Sequence, residues 1–231
     1  LHSHSTVSDG TLPPEDVAAR AAEGGVQLWA LTDHDELGGQ ARARAAALDL
    51  GLAWVGGVEV SVSFAGETVH IVGPTNEPLQ AGLAATRAGR RQRALGMAEG
   101  LARVGIRGAF EGALAHVGNP DLISRTHFAR FLVEQGICAH THEVFKRYLT
   151  EGKPGYVPHQ WAGLGEAVGW IRGAGGIAVI AHPGRYKFTP NEEYALFTEF
   201  ITHGGRAVEV MTGSHGAADQ ARYADTAREF D

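Results

Sequence analysis

The sequence predicts an α/β fold of parallel strands flanked by helices, interrupted by a helical insertion. Three observations predict it. Short apolar runs alternate with amphipathic helical stretches in the first third of the chain and again after about Val157. Between Glu77 and Val157 the periodicity is helical and no strand stands out. Histidines and carboxylates collect at or near the ends of the predicted strands, where parallel α/β sheets build their sites.

The elements follow in order. His2-x-His4 lies on an extended segment, where alternation puts both imidazoles on one side. Thr11-Leu12-Pro13-Pro14-Glu15 starts a helix whose stripe is Val17, Ala18, Ala21 and Ala22, and Gly24-Gly25 ends it. Val26 to Leu31 reads as a buried strand leading into Thr32-Asp33-His34-Asp35. A helix from Gly39 to Leu50 precedes a strand from Leu52 to Val60, which delivers Glu59 near its end. Thr68 to Val72 is a further strand and carries His70.

The helical stretch contains Leu79 to Val104, Arg125 to Gln135 and Thr141 to Thr150, and residues 90–156 read as an insertion. The chain thus divides into a first α/β part, 1–89, the insertion, and a second α/β part, 157–231. Alternation resumes with helix Leu164 to Gly173, strand Gly176 to Ala181 ending at His182, and helix Asn191 to His203. Strand Ala207 to Met211 and helix Ala217 to Phe230 follow. Such repeated units give a sheet that is either open or closed into a barrel.

Composition narrows the class. The 231 residues are 44% hydrophobic, with a mean hydropathy of −0.13, and no apolar run approaches the roughly 20 residues of a bilayer span. No secretory leader and no DNA-binding motif are evident, and the lone Cys138 fits a reducing cytoplasm. The chain begins at Leu1, which predicts a few further residues upstream. From Arg87 to Lys153, eleven Lys/Arg stand against six Asp/Glu, whereas the whole chain carries −6. A basic segment in an acidic body points to a phosphate-bearing substrate, although the run Arg87 to Arg93 taken alone reads as a solvated helix.

His2, His4, His34, His70 and His182, with Glu59 and Asp9, exceed the ligand capacity of one ion. Mixed imidazole and carboxylate donors suit Mn, Zn or Fe better than Mg or Ca. Neighbouring ions can acidify a bridging water and neutralise phosphoryl oxygens, which hydrolysis of an anionic phosphate ester requires.

His2-x-His4 with Ser8-Asp9-Gly10, Thr32-Asp33-His34-Asp35, Gly57-Val58-Glu59, His70-Ile71-Val72-Gly73 and Ala181-His182-Pro183-Gly184 resemble, in order, the motifs of the polymerase-and-histidinol-phosphatase (PHP) family. The resemblance implies a distorted seven-stranded (β/α) barrel with a trinuclear centre, most readily manganese, with Zn, Fe or Mg as alternatives. It implies that His2 and His4 hold one ion, that Glu59 bridges it to a second held by His70 and His182, and that Asp9 and His34 hold the third. The family's final Gly-Ser-Asp-x-His-like motif has no match after Arg228, which predicts that its strand lies outside this sequence. His70-Ile71-Val72-Gly73 also runs into Pro74-Thr75-Asn76 sooner than the family pattern does.

The insertion resembles that of one bacterial branch, similar to nucleoside 3′,5′-bisphosphate phosphatases and 5′-3′ exoribonucleases. The matching stretches are Leu122-Ile123-Ser124-Arg125-Thr126-His127-Phe128-Ala129-Arg130 and Phe145 to Pro158. Ser124 and Arg125 open a helix, whose N-terminus favours phosphate. Lys153, bounded by glycine and proline, is a held point charge. Ser124, Arg125, His127, Arg130, Lys153 and Arg185 are therefore the expected substrate contacts. The expected reaction is hydrolysis of the 3′-phosphate of a nucleoside 3′,5′-bisphosphate by a metal-bridging hydroxide. Alternatives are 5′-end trimming of short RNA, another phosphatase activity such as that on histidinol phosphate, or a metal-binding module without catalysis.

His140-Thr141-His142 is a second His-x-His, but Thr141 reads as the N-cap of an amphipathic helix and these histidines as exposed. His116, His159, His203 and His215 read as structural or solvated. Gly24-Gly25, Gly56-Gly57 and Gly175-Gly176 read as turns.

Overall fold

A computed structural model of the chain describes residues 1–73, 77–158 and 161–230. Pro74-Thr75-Asn76 and His159 lie outside the described residues. Among those described, two sheets carry the site. In the first, β1 (Leu28–Trp29) pairs in parallel with β2 (Ala53–Trp54). The second contains β3 (Val58–Phe64), β4 (Glu67–Gly73), β5 (Ala162–Gly163), β6 (Val179–Ile180) and β7 (Ala207–Val208), in the order β5-β3-β4-β6-β7. The sheets meet at a parallel bridge between His34 and Glu59.

The second sheet is mixed, not parallel as the alternation predicts. β3 pairs in parallel with β5, and β6 with β7, but β4 is antiparallel to both β3 and β6. The reason is local. Only Ala65 and Gly66 separate β3 from β4, and both have positive φ, 47° and 80°. Such a two-residue turn joins antiparallel neighbours, whereas a parallel pair needs a crossover of about a dozen residues.

The turn fixes the register, with Glu59 opposite Val72 and Ser61 opposite His70. Alternation then divides the hairpin. Val58, Val60, Val62, Val69 and Ile71 enter a core with Leu79, Leu83, Val168 and Ile171, while Glu59, Ser61 and His70 share the other face. The expected strand from Leu52 to Val60 is therefore two strands. It breaks before Gly57, where a Cβ would lie 2.9 Å from Thr32 Cγ2. Glu59 accordingly stands at the start of β3, not near a strand end.

Helices α1 (Pro14–Glu23) and α2 (Gln40–Asp49) bury Ala18, Ala43 and Ala47 against Trp29 of the first sheet and Leu31 just beyond it. Helix α3 (Glu77–Ala88) adds Leu79 and Leu83 to the main core. It is followed by α4 (Arg90–Arg103), α5 (Ala109–Leu114), α6 (Arg125–Glu134) and α7 (Thr141–Val144). These four, with Leu149 beyond α7, build a separate core around Met97, Leu101, Phe128, Leu132 and Val144. The last three, α8 (Leu164–Gly173), α9 (Pro190–Thr202) and α10 (Ala217–Glu229), close the chain around the second sheet.

Three helical expectations change. Leu79 to Val104 breaks at Gly89, because α3 and α4 serve different cores. Thr141 to Thr150 is α-helical only to Val144 and continues as a π turn, Phe145–Leu149, and His140 rather than Thr141 is its N-cap. Arg87 to Arg93 is no solvated face. Arg90 is 5% exposed and pairs with the buried Asp35, Arg87 donates to the Asp35 carbonyl, and Arg93 donates to the Val157 carbonyl at 3.0 Å. A carboxylate taken out of water requires a cation, and α4 supplies it.

Candidate metal centre

Glu59 is the centre of the site. It is fully buried, and five imidazoles surround its carboxylate. Oε2 lies 3.2 Å from His2 Nε2, 3.1 Å from His4 Nε2 and 3.1 Å from His34 Nδ1. Oε1 lies 2.9 Å from His182 Nε2 and 3.4 Å from His70 Nδ1. Asp9 Oδ1 stands 4.0 Å from both His4 Nδ1 and His34 Nε2. The fold therefore brings together all seven residues expected to bind metal.

Two aspartates of the Thr32-Asp33-His34-Asp35 stretch hold this arrangement from behind. Buried Asp33 accepts from Ser5 N–H and Ser5 Oγ, both at 2.7 Å, and from Ser8 Oγ at 2.6 Å. It thus clamps the loop that carries His4 and Asp9. Asp35 accepts from Ser61 N–H and Ser61 Oγ at 2.8 Å, besides Arg90. Gly10 closes the loop, since a Cβ there would meet the His4 carbonyl at 2.4 Å.

Tyr186 joins two further segments: its hydroxyl accepts from His70 N–H at 2.9 Å and donates to the Ala181 carbonyl at 2.8 Å. Burial pushes that phenol up, so it stays protonated. Glu209 accepts from the His182 N–H at 2.8 Å and pairs with His2 Nδ1 at 2.7 Å. Sequence reading missed Glu209, Tyr186 and the roles of Asp33 and Asp35. The positions of the first two, directly after β7 and just beyond His182-Pro183-Gly184, were the available signal.

The electrostatics of Glu59, His34 and His70 suit cation binding. Burial alone would raise the Glu59 carboxyl, but the imidazoles, His34 and His70 foremost, hold it well below the usual range. Burial lowers His34 and His70, which favours neutral rings with free lone pairs. Burial opposes protonation of His2 and His4 too, but their bonds to carboxylates outweigh it and raise both, His2 to about 10.

Glu59 Oε2 and the Nδ1 atoms of His4, His34, His70 and His182 are buried without a hydrogen-bond partner. Buried polar atoms left unpaired are costly. Glu59, His4, His34 and His70 lie close enough together that divalent ions fit as missing partners for them. The donor atoms fall into overlapping sets within 4.8 Å: His2-His4-Glu59, His4-Asp9-His34 and His34-Glu59-His70.

A cavity of about 860 Å³ opens over this centre, lined among others by His2, His4, His34, Glu59, His182 and Arg185. Of the expected substrate contacts, Arg185 stands exposed on its wall. Ser124 caps α6, and its N–H donates to His127 Nδ1 at 3.0 Å. His127 is buried and held near pKa 4, first by burial. Arg130 donates to the Asp9 carbonyl and, at 3.4 Å, to that of Gly10, which anchors α6 on the loop that carries Asp9. Arg125 is half-buried over the Phe145 ring, 5.9 Å from its centroid. Lys153 is exposed in its turn.

Of the other histidines, His116 pairs with Glu134, and His140 and His142 are exposed. His203 is exposed at the end of α9, and His215 is buried, accepting from Gly184 N–H.

The PHP domain pattern matches residues 1–211. The chain belongs to the PHP domain family. It is 51% identical over 228 residues to a 3′,5′-nucleoside bisphosphate phosphatase of Chromobacterium violaceum, covering 97% of this chain and 80% of that one. It is 41% identical over 235 residues to the 5′-3′ exoribonuclease Rnm of Escherichia coli, covering 99% of this chain and 80% of that one. An amidohydrolase structure from C. violaceum, with bound sulfate and no metal, superposes with a TM-score of 0.96 at 50% identity. That superposition covers 99% of this chain and 82% of the other. A structure from Bifidobacterium adolescentis described as a metal-dependent phosphoesterase gives 0.87 at 28% identity, covering 100% of this PHP chain and 82% of its own. Among the described residues of this PHP chain, no helix is long and apolar enough to cross a membrane.

Proposed function

We propose that this PHP domain is a metal-dependent phosphoesterase that removes the 3′-phosphate from nucleoside 3′,5′-bisphosphates. The observation that carries the reading is the ring of five imidazoles around the buried Glu59 carboxylate, in a chain 51% identical to a phosphatase of that name. His2 and His4 would hold one ion, Glu59 would bridge it to a second held by His70 and His182, and Asp9 and His34 would hold the third. A histidine-rich set with two carboxylates suits Mn, with Zn, Fe or Mg as alternatives. Bound ions would supply Lewis acidity and a water acidic enough to act as nucleophile at neutral pH.

The chain's own residues supply orientation. Arg93 is held down to about pKa 10, first by burial and then by the charges of Arg125 and Arg90. Burial lowers Arg125 too. Two half-buried guanidinium groups that repel each other favour an anion between or before them, and the second phosphate of the substrate is such an anion. Ser124, His127 and Arg130 would set the start of α6 toward it, with Lys153 and Arg185 at the rim.

We read the two sheets joined at His34 and Glu59 as the wall of a distorted barrel, residues 90–156 as its substrate cap, and the cytoplasm as its location. Short RNA is the second candidate substrate, favoured by the likeness to Rnm. The test is phosphate release by the Mn-loaded protein from adenosine 3′,5′-bisphosphate, histidinol phosphate and a short 5′-phosphorylated RNA, with chromatographic identification of products. AMP and phosphate from the bisphosphate as the fastest reaction are expected. RNA shortening with little bisphosphate turnover would replace this reading with the exoribonuclease one.

A further inference from the structure

Two metal-side histidines, His2 and His182, are tied to one carboxylate outside the donor set. Glu209 follows β7. Its N–H donates to the Ile180 carbonyl at 2.9 Å, which continues the parallel β6–β7 ladder by one residue. Val208 and Val210 pack on the main core. Alternation therefore turns Glu209 to the opposite face, toward the site. Its side chain is 16% exposed, and both oxygens are engaged.

Oε1 lies 2.7 Å from His2 Nδ1 and Oε2 accepts from the His182 N–H at 2.8 Å. The first contact requires the proton of His2 to sit on Nδ1. His2 Nε2, 3.1 Å from His4 Nε2 and 3.2 Å from Glu59, would then be the nitrogen that offers its lone pair to a bound ion. The second contact holds a residue with φ of +29°, which side-chain-bearing residues rarely adopt. That conformation aims the His182 ring at Glu59 Oε1 from 2.9 Å.

We propose that Glu209 is the positioning residue of the metal centre: it sets the tautomer and orientation of His2 and secures the strained backbone of His182. A carboxylate bonded to the far nitrogen of a ligating imidazole commonly has this role, and its loss weakens metal binding by about 10–100-fold. The inference rests on the metal-centre reading proposed above.

The experiment titrates Mn²⁺ calorimetrically into metal-free native protein, Glu209→Gln and Glu209→Ala, and follows kcat on adenosine 3′,5′-bisphosphate against Mn²⁺ concentration. Glu209→Ala is expected to bind Mn²⁺ about 10–100-fold more weakly, with the native number of ions at saturation and kcat recovering at high Mn²⁺. Glu209→Gln, whose amide oxygen still accepts from His2 Nδ1–H, is expected to lose less. It also carries the test if Glu209→Ala does not fold. Native affinity in both variants would overturn the proposal, and so would one fewer ion at saturation, since Glu209 would then be a ligand. A native protein that binds no Mn²⁺ would instead overturn the metal-centre reading itself.

Discussion

His34 and Glu59 meet twice. Their backbones form the parallel bridge between the two sheets, and His34 Nδ1 lies 3.1 Å from Glu59 Oε2. The contact that joins the two sheets is therefore also the contact at the heart of the proposed metal centre. Anything that shifts one sheet against the other shifts the proposed ligands.

Asp33 is one lever on that geometry. It accepts three hydrogen bonds from Ser5 and Ser8 and has no exposed surface. Asp33→Ala leaves buried donors unpaired and is expected to lower stability by about 2–4 kcal/mol in urea unfolding. Loss of Mn²⁺ affinity should accompany it, because the clamped loop carries His4 and Asp9. Native stability in Asp33→Ala would refute the clamp.

Arg90 and Asp35 form a buried ion pair between α4 and the segment that carries His34. Removing one partner strands a charge, so Arg90→Ala is expected to cost about 3–5 kcal/mol. A double-mutant cycle with Asp35→Ala should recover part of it, since the pair is then removed together. Additive losses in the cycle would mean that the two side chains do not depend on each other.

Arg125 and Arg93 lie in the helical segment as half-buried cations. Arg125→Ala is expected to lower kcat/KM for a 3′,5′-bisphosphate by about 10–100-fold, the scale of a lost charged hydrogen bond. The same variant should act on adenosine 3′-monophosphate almost as the native protein does. An equal loss on both substrates would remove Arg125 from recognition of the second phosphate.

His2 gives a pH signature to the metal-free chain. Burial opposes its protonation, but bonds to Glu209 and Glu59 raise it from 6.5 to about 10. A raised folded pKa stabilises fully below the unfolded value and is lost as pH rises through the folded one. The metal-free unfolding midpoint should therefore fall between about pH 6.5 and 10, and His2→Gln should flatten that fall. Because metal must displace the His2 proton, Mn²⁺ binding at neutral pH should release protons, seen as a buffer-dependent binding enthalpy. A flat native profile would contradict the assignment.

The proposed ligands His34 and His182 were legible because each sits in a short motif after an apolar run, Val26 to Leu31 and Gly176 to Ala181. The direction of β4 was not legible from the apolar pattern, which is the same for parallel and antiparallel neighbours. Only the Ala65-Gly66 turn carries it. β5 escaped notice because two residues have no period. Arg90 looked solvated because its partner, Asp35, is 55 residues away in sequence. Glu209 was hidden likewise: a lone glutamate between valines gains meaning only when the fold brings His2 to it from 207 residues away.

The most direct measurement strips the protein of metal and follows phosphate release from adenosine 3′,5′-bisphosphate as Mn²⁺ is added back, beside a folded His34→Ala variant. Expected are no release without metal, recovery with Mn²⁺ in the native protein, and a loss of more than about 100-fold in the variant at the same Mn²⁺. Equal release with and without metal, or a fully active His34→Ala, would contradict it.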